Sequence, residues 1–308
     1  MQNPLTVRFW GVRGSIACPG SHTVRYGGNT PCVEIQAGEE RLIFDGGTGL
    51  RVLGQHLLPL MPLEAHLFFS HTHWDHIQGF PFFTPAFTQG NQFNIYSMLS
   101  TDGRGIQSRL RDQMLHPNFP VPLQVMQGDL KFHDLPLGET LQINDVHVEY
   151  APLNHPGGAT GYRVNWQGLA VSYITDTEHF ADRLDENVLQ LCRQADLMII
   201  DATYTDAEYY AAGSSKVGWG HSTWQEAVKV AEVAGVKQLV LFHHDPLHDD
   251  DFLDQVGQEA RQAFPNTVMA REEMSLQLRP LIGGQLLSPL RSEGVAAGLG
   301  MSEWRLCG

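Results

Sequence analysis

The chain has 308 residues, of which 42% are hydrophobic, and carries a formal net charge of −14. That is enough apolar material for one large core, and no linker-like stretch divides it. The acidity argues against a broad basic groove for a nucleic-acid polymer, where phosphate neutralisation dominates binding, but is compatible with a small anionic substrate held by metal ions. In chain order, residues 6–11 alternate and predict an opening strand, followed by a polar loop through Tyr26-Gly27-Gly28-Asn29-Thr30. Val33-Glu34-Ile35 and Leu42-Ile43-Phe44 flank Gly38-Glu39-Glu40 as a hairpin. Asp45-Gly46-Gly47-Thr48-Gly49 lacks the lysine and the spacing of a phosphate-binding P-loop. Leu50, Leu53, Leu57 and Leu58 then predict a helix ended by Pro59 and Pro62. His66-Leu67-Phe68-Phe69 reads as a short buried strand, and Ser70-His71-Thr72-His73-Trp74-Asp75-His76 leaves its end. Four potential metal ligands therefore fall within six residues. His71 and His73 can bind one ion from an extended segment; Asp75 and His76, as the chain turns, can face a second. Neutral imidazole suits zinc, manganese or iron, and a carboxylate adds charge to hold a second dication.

Residues 80–93 are rich in aromatics and are expected to pack under this loop, or else to wall the site. Arg104, Arg109 and Arg111 lie on a helix predicted over residues 105–115, where a solvated basic face is the ordinary explanation. Residues 116–122 form a proline-punctuated loop. Residues 146–150 alternate like a strand and lead to Asn154-His155-Pro156-Gly157-Gly158; alone, His155 would carry little weight. Another strand begins at Gly161-Tyr162-Arg163-Val164. Residues 170–175 form an apolar strand ending in Asp176, where one carboxylate can bridge two ions about 3.5–4 Å apart; a helix cap is the alternative. Residues 197–200 run likewise into Asp201. Gly220-His221-Ser222-Thr223 precedes a helix with Trp224, Ala227, Val228, Val230, Ala231 and Ala234, capped by Ser222 or Thr223 and stopped at Gly235. The strand at residues 236–242 ends in His243-His244, and His244 is expected to point away from His243, toward a substrate. A helix over residues 254–264 and a strand-bearing stretch over 268–278 complete a domain at residues 1–280. Residues 281–308 read as a tail or an oligomer contact, as in a homodimer. Cys18, Cys32, Cys192 and Cys307 show no C-x-x-C spacing, no secretory signal is visible and no stretch is apolar enough to cross a membrane. The expected setting is reduced and cytoplasmic.

The motif from His71 to His76 resembles the first metal motif of the metallo-β-lactamase superfamily, and the similarity continues through most of the chain. It implies an α/β fold of four layers, the αββα sandwich, with a dinuclear site at one edge. It also implies the ligand set: His71, His73 and His155 on one ion, Asp75, His76 and His243 on the other, Asp176 between them. Two divalent ions follow, zinc first and manganese or iron as alternatives. Asp45, by the same resemblance, supports the metal loop by hydrogen bonds.

The series Asp201-Ala202-Thr203, then Gly220-His221-Ser222-Thr223, then helix, strand and histidine, resembles the phosphodiesterase branch of that superfamily. Gly161-Tyr162-Arg163 resembles its ribonuclease Z-type members, which process tRNA 3′ ends. In that branch a carboxylate partners the histidine of the H-S-T turn, which protonates the leaving oxygen. The matching residues here are Asp201 and His221, although the usual carboxylate is a glutamate. A water made acidic by the two ions is the implied nucleophile, with Asp75 helping to place it. Ribonuclease Z members insert a tRNA-binding arm between the third ligand histidine and the bridging aspartate, and the short step from His155 to Asp176 leaves no room for one. The expectation is hydrolysis of a small phosphodiester, a cyclic nucleotide or cyclic phosphate in first place. The alternatives are a thioesterase or lactonase of the same fold, and tRNA 3′ processing. Retention of every ligand disfavours a non-catalytic sensor, and the di-iron oxygen- or nitric-oxide-reducing branch has Glu where His73 stands.

Overall fold

The computed structural model describes residues 4–99 and 102–279. Strands β1 (Leu5–Gly11), β2 (Cys32–Ala37), β3 (Glu40–Phe44), β4 (Glu64–Phe68), β5 (Gln92–Met98) and β6 (Asp129–Leu135) come first in the chain. They are followed by β7 (Thr140–Ile143), β8 (Val146–Leu153), β9 (Ala159–Trp166), β10 (Leu169–Ile174), β11 (Leu197–Asp201), β12 (Leu239–Phe242) and β13 (Thr267–Met269). The final strand, β14 (Ser275–Leu278), returns to pair with β1. The result is two seven-stranded sheets, ordered β14-β1-β2-β3-β4-β5-β6 and β13-β12-β11-β10-β9-β8-β7.

Side-chain alternation along the strands makes the layers. On β11, Leu197 and Ile199 join a core between the sheets with Val240 and Phe242 of β12 and Phe9, Phe44 and Phe68 of the first sheet. Met198 and Ile200 face the other way, onto a second core with Leu239 and Leu241. Helices α1 (Thr48–Leu57) and α3 (Ile106–Gln113) cover the first sheet through Leu50, Leu53, Ile106 and Leu110. Helices α4 (Glu186–Cys192), α6 (Trp224–Ala234) and α7 (Asp250–Ala263) cover the second through Val188, Leu191, Ala227, Val228 and Leu253. The short helices α2 (Trp74–Ile77) and α5 (Asp206–Tyr209) lie in loops at one edge. This is the expected αββα sandwich. Each large apolar side chain buried in these cores contributes about 1.5–3 kcal/mol.

Local expectations hold with specific shifts. Thr223, not Ser222, caps α6, and Gly235 ends it at φ 68°. That left-handed turn delays the next strand to Leu239. Helix α7 starts at Asp250 rather than 254, because Asp249 accepts a hydrogen bond from the Phe252 amide and the acidic run suits a helix N-terminus. Arg104 and Arg109 pair with Asp112 and Asp102, the solvated face foreseen for them. Phe80 and Phe83 are buried beneath the metal loop. Strands β5, β6 and β7 were not anticipated, although residues 92–95, 129–133 and 140–143 alternate polar with apolar. The 281–308 tail, with the homodimer contact expected of it, lies outside the described residues. Among the described residues no helix is long and apolar enough to cross a membrane.

Candidate metal centre

Strands β3 and β4 run parallel, as do β10, β11 and β12. Their carboxyl ends therefore open on the same edge of the sandwich, where all the candidate residues except His221 leave a strand or the loop just after it. At three of these ends the chain turns through the left-handed region without glycine: Asp45 at φ 60°, Asp176 at φ 51° and His243 at φ 62°. Such backbone is uncommon for a side-chain-bearing residue and costs about 1–3 kcal/mol at each position, a strain that collects at functional sites.

The Asp176 carboxylate sits at the middle. Its Oδ2 is 3.6 Å from His71 Nε2 and 3.7 Å from His155 Nε2. His73 joins that side through Nδ1, 3.1 Å from His155 Nε2. Asp176 Oδ1 faces the other way, 3.2 Å from both His76 Nε2 and His243 Nε2. Asp75 Oδ2 completes the second group at 3.2 Å from His76 and 3.3 Å from His243. Within each group the ligand atoms lie no more than 4.8 Å apart. One carboxylate thus presents one oxygen to each of two nitrogen-rich groups.

The chemistry of the donors fits divalent cations. His71 Nε2 and His76 Nε2 are buried and make no hydrogen bond. Their other ring nitrogens are engaged: His71 Nδ1 meets Ser70 Oγ at 3.0 Å and His76 Nδ1 meets Asp45 Oδ2 at 2.8 Å. Each ring is thereby fixed with its free lone pair turned inward, as a metal ligand requires. Asp45 also accepts from the Ser70 amide at 2.7 Å and from the Tyr173 hydroxyl at 2.7 Å, the support foreseen for it. His155 Nδ1 donates to the Gly220 carbonyl at 2.7 Å. Burial holds the His71 pKa well below the ordinary imidazole range, with the His76 charge adding to it. Burial alone would raise Asp75, but the neighbouring His76 ring and the hydrogen bond with His243 outweigh it and hold it well below the carboxylate range. At His76 burial is likewise outweighed, here by Asp176, Asp75 and Asp45, and the pKa rises well above the usual value.

His221 lies beside this cluster, its ring stacked at 4.9 Å on His243. Asp201 Oδ2 accepts from His221 Nδ1 at 2.8 Å, so the shorter carboxylate does reach. Burial opposes the charged ring, but Asp201 outweighs burial and pushes His221 up to about 9. His244 departs from expectation: it does point opposite to His243, yet it is fully buried and donates to the Ala270 carbonyl at 2.8 Å, away from any substrate. Burial pushes it down to about 3.

Several residues support the cluster in roles that the sequence did not assign to them. Thr203 Oγ1 lies 3.1 Å from His243 Nδ1 and 2.8 Å from Asp201 Oδ1, linking two candidate residues. The Ser15 amide donates to Asp75 Oδ2 at 2.8 Å. A Cβ at Gly14 would come within 2.5 Å of the His243 ring, so only glycine fits there.

A family model described as "Beta-lactamase superfamily domain" matches residues 40–244. The chain belongs to that superfamily and is a metal-dependent hydrolase of the metallo-β-lactamase fold. The ribonuclease Z of Synechococcus sp. (strain CC9311) is 25% identical over 305 residues, covering 78% of this chain and 90% of the relative. The ribonuclease Z of Gemmatimonas aurantiaca is 39% identical over only 93 residues, 30% of this chain and 28% of the relative. Among solved structures, the metallo-β-lactamase fold protein YhfI from Bacillus subtilis superposes with a TM-score of 0.66 at 20% identity, covering 89% of this chain and all (100%) of that one. A diphosphatase from the PhnP family gives 0.65 at 17% identity, covering 90% and 98%. These superpositions bear on the fold.

Proposed function

We propose that the chain hydrolyses a small phosphodiester, a cyclic nucleotide or related cyclic phosphate, with His71, His73, His155, Asp176, Asp75, His76 and His243 as ligands of two divalent ions, zinc in first place. The observation that carries this reading is the Asp201–His221 pair beside the cluster, with 2.8 Å between carboxylate and ring nitrogen. Divalent ions held there would supply Lewis acidity toward phosphoryl oxygens and toward water. Asp75, fixed by the Ser15 amide, orients the attacking water from the second group. Asp201 holds the Nδ1 proton of His221, which leaves Nε2 to deliver a proton to the departing alkoxide. An alkoxide is a poor leaving group and needs that proton. A tetrahedral oxyanion from a thioester or lactone can be stabilised without it.

The test is turnover of bis(p-nitrophenyl) phosphate beside a nitrophenyl ester and a thioester, on protein of measured metal content. His221→Ala is expected to lower diester turnover about a hundredfold or more. Ester or thioester turnover indifferent to His221 would move the chain to the carbonyl-hydrolysing reading.

RNA is the second reading, because the relatives named ribonuclease Z weaken the argument from acidic charge against a nucleic-acid polymer. The short hairpin of β9 and β10, turned at Gln167-Gly168, fills the step between His155 and Asp176 and favours the small diester. Efficient cleavage of precursor tRNA with none of cyclic mononucleotides would reverse that order.

A further inference from the structure

The chain contains four lysines. Three hold carboxylates: Lys131 with Asp129 at 3.2 Å, Lys229 with Glu226 at 2.5 Å and Lys237 with Asp196 at 2.7 Å. Lys216 has no such partner among the described residues. Its ammonium lies instead 4.2 Å from the centre of the Trp219 ring and 5.6 Å from that of Tyr204. In a protein of charge −14, a half-buried cation left without an acid is conspicuous. Aromatic faces attract an ammonium but do not neutralise it, so its charge and its N–H donors stay available to an anion.

The loop holds this cation in place. The buried Glu178 carboxylate accepts from the amides of Gly218 at 2.6 Å and Gly220 at 2.9 Å, and from the Tyr209 hydroxyl at 2.5 Å. The Lys216 amide donates to the Tyr209 carbonyl at 2.9 Å and the Trp219 amide to the Lys216 carbonyl at 3.0 Å. The same loop ends at Gly220, whose carbonyl fixes His155. Tyr204 neighbours both the ammonium, 5.6 Å from its ring centre, and His221, to which its ring lies edge-on at 6.2 Å. Lys216 and His221 thus share one aromatic neighbour, which puts the ammonium close to the proposed proton donor without contact to it. That is too far to share the scissile phosphate's oxygens and suits the next anionic group along the substrate. Trp219, 57% exposed, offers an aromatic surface beside it.

We propose that Lys216 and Trp219 form a recognition site for a second phosphate, carried on the leaving-group side of the scissile diester. This rests on the phosphodiesterase reading and narrows it. Diesters whose departing alcohol is itself phosphorylated, as in linear or cyclic dinucleotides, are preferred over diesters with a single charge. Lys216 is a specificity residue and takes no part in the bond-breaking step.

The experiment compares kcat and KM for dithymidine diesters with no terminal phosphate, a 5′ phosphate or a 3′ phosphate. Bis(p-nitrophenyl) phosphate is assayed on the same preparation. One phosphorylated dinucleotide is expected to exceed the unphosphorylated one about tenfold in kcat/KM, mainly through KM, as for one charge-assisted contact. Lys216→Gln should abolish that preference while leaving the unphosphorylated substrate within about twofold, and Lys216→Arg should retain it. No preference in the parent protein, or an equal loss on all three dinucleotides in Lys216→Gln, overturns the inference alone if bis(p-nitrophenyl) phosphate is still cleaved. No turnover of any diester overturns it together with the phosphodiesterase reading.

Discussion

At His221 two opposed effects decide the protonation state. Burial disfavours the imidazolium, and the Asp201 carboxylate at 2.8 Å more than compensates, leaving the pKa near about 9 against an ordinary 6.5. A raised folded-state pKa means that the charged ring, and the stability the pair contributes, are fully present below the ordinary value and are lost as pH rises through the folded one. Dications held beside it would lower that value by repulsion, in parent and variant alike. In Asp201→Asn the hydrogen-bond acceptor remains but the charge is gone, and burial is left unopposed. The alkaline limb of kcat against pH should then move roughly one to three units toward acid, with a lower plateau. A limb that stays in place would exclude His221 as the proton donor. The contrast between the two residues also shows what sequence can carry. His221 was legible because Gly220-His221-Ser222-Thr223 is contiguous, whereas Thr203, though it stands in the contiguous Asp201-Ala202-Thr203, joins Asp201 to His243 across two strand ends, a role that no local pattern encodes.

The elements place these residues through their ends. Parallel pairing of β10, β11 and β12 aligns Asp176, Asp201 and His243 at one edge. Apolar runs closing on a carboxylate or histidine made that edge readable in advance. Strands β6 and β7 escaped that reading although residues 129–133 and 140–143 alternate polar with apolar, because both lie half-exposed at a sheet edge and neither closes on a candidate ligand. The loop from α5 to α6 matters equally, and through one glycine. Gly220 sits at φ 87°, and a Cβ there would stand 2.4 Å from His155 Nδ1. Gly220→Ala should therefore strain the backbone and push the His155 ring off its carbonyl partner. Loss of such a supporting contact lowers metal affinity about 10- to 100-fold. Calorimetric titration of chelator-stripped protein should show one of two sites weakened and the other retained. Two unchanged sites would mean that His155 is not a ligand.

On the scale of the whole molecule, the cluster draws on both halves of the sandwich. His71, His73, Asp75 and His76 follow β4 of the first sheet, while His155, Asp176 and His243 follow β8, β10 and β12 of the second. Cations bound there are cross-links between the sheets at an edge where the main inter-sheet core has ended. They bind the native state and not the separated sheets, so they stabilise folding by mass action, about 4 kcal/mol at a thousandfold excess over the dissociation constant. Without them, Asp75 and Asp176 face each other across buried imidazoles with only protons to balance them. Chelation should consequently lower Tm by on the order of 10 °C, from about 2–4 °C per kcal/mol for a chain of this size class. Zinc, manganese and ferrous ion added back singly should restore it to different extents, and the order of recovery ranks the candidate metals without reference to activity. The expected destabilisation is local in origin. Hydrogen exchange should rise first at the β4–α2 loop and at the ends of β10 and β12, with the helix-covered faces still protected. A Tm unchanged after verified metal removal would mean that the two sheets hold this edge closed unaided, and that the ions are bound by a scaffold already complete.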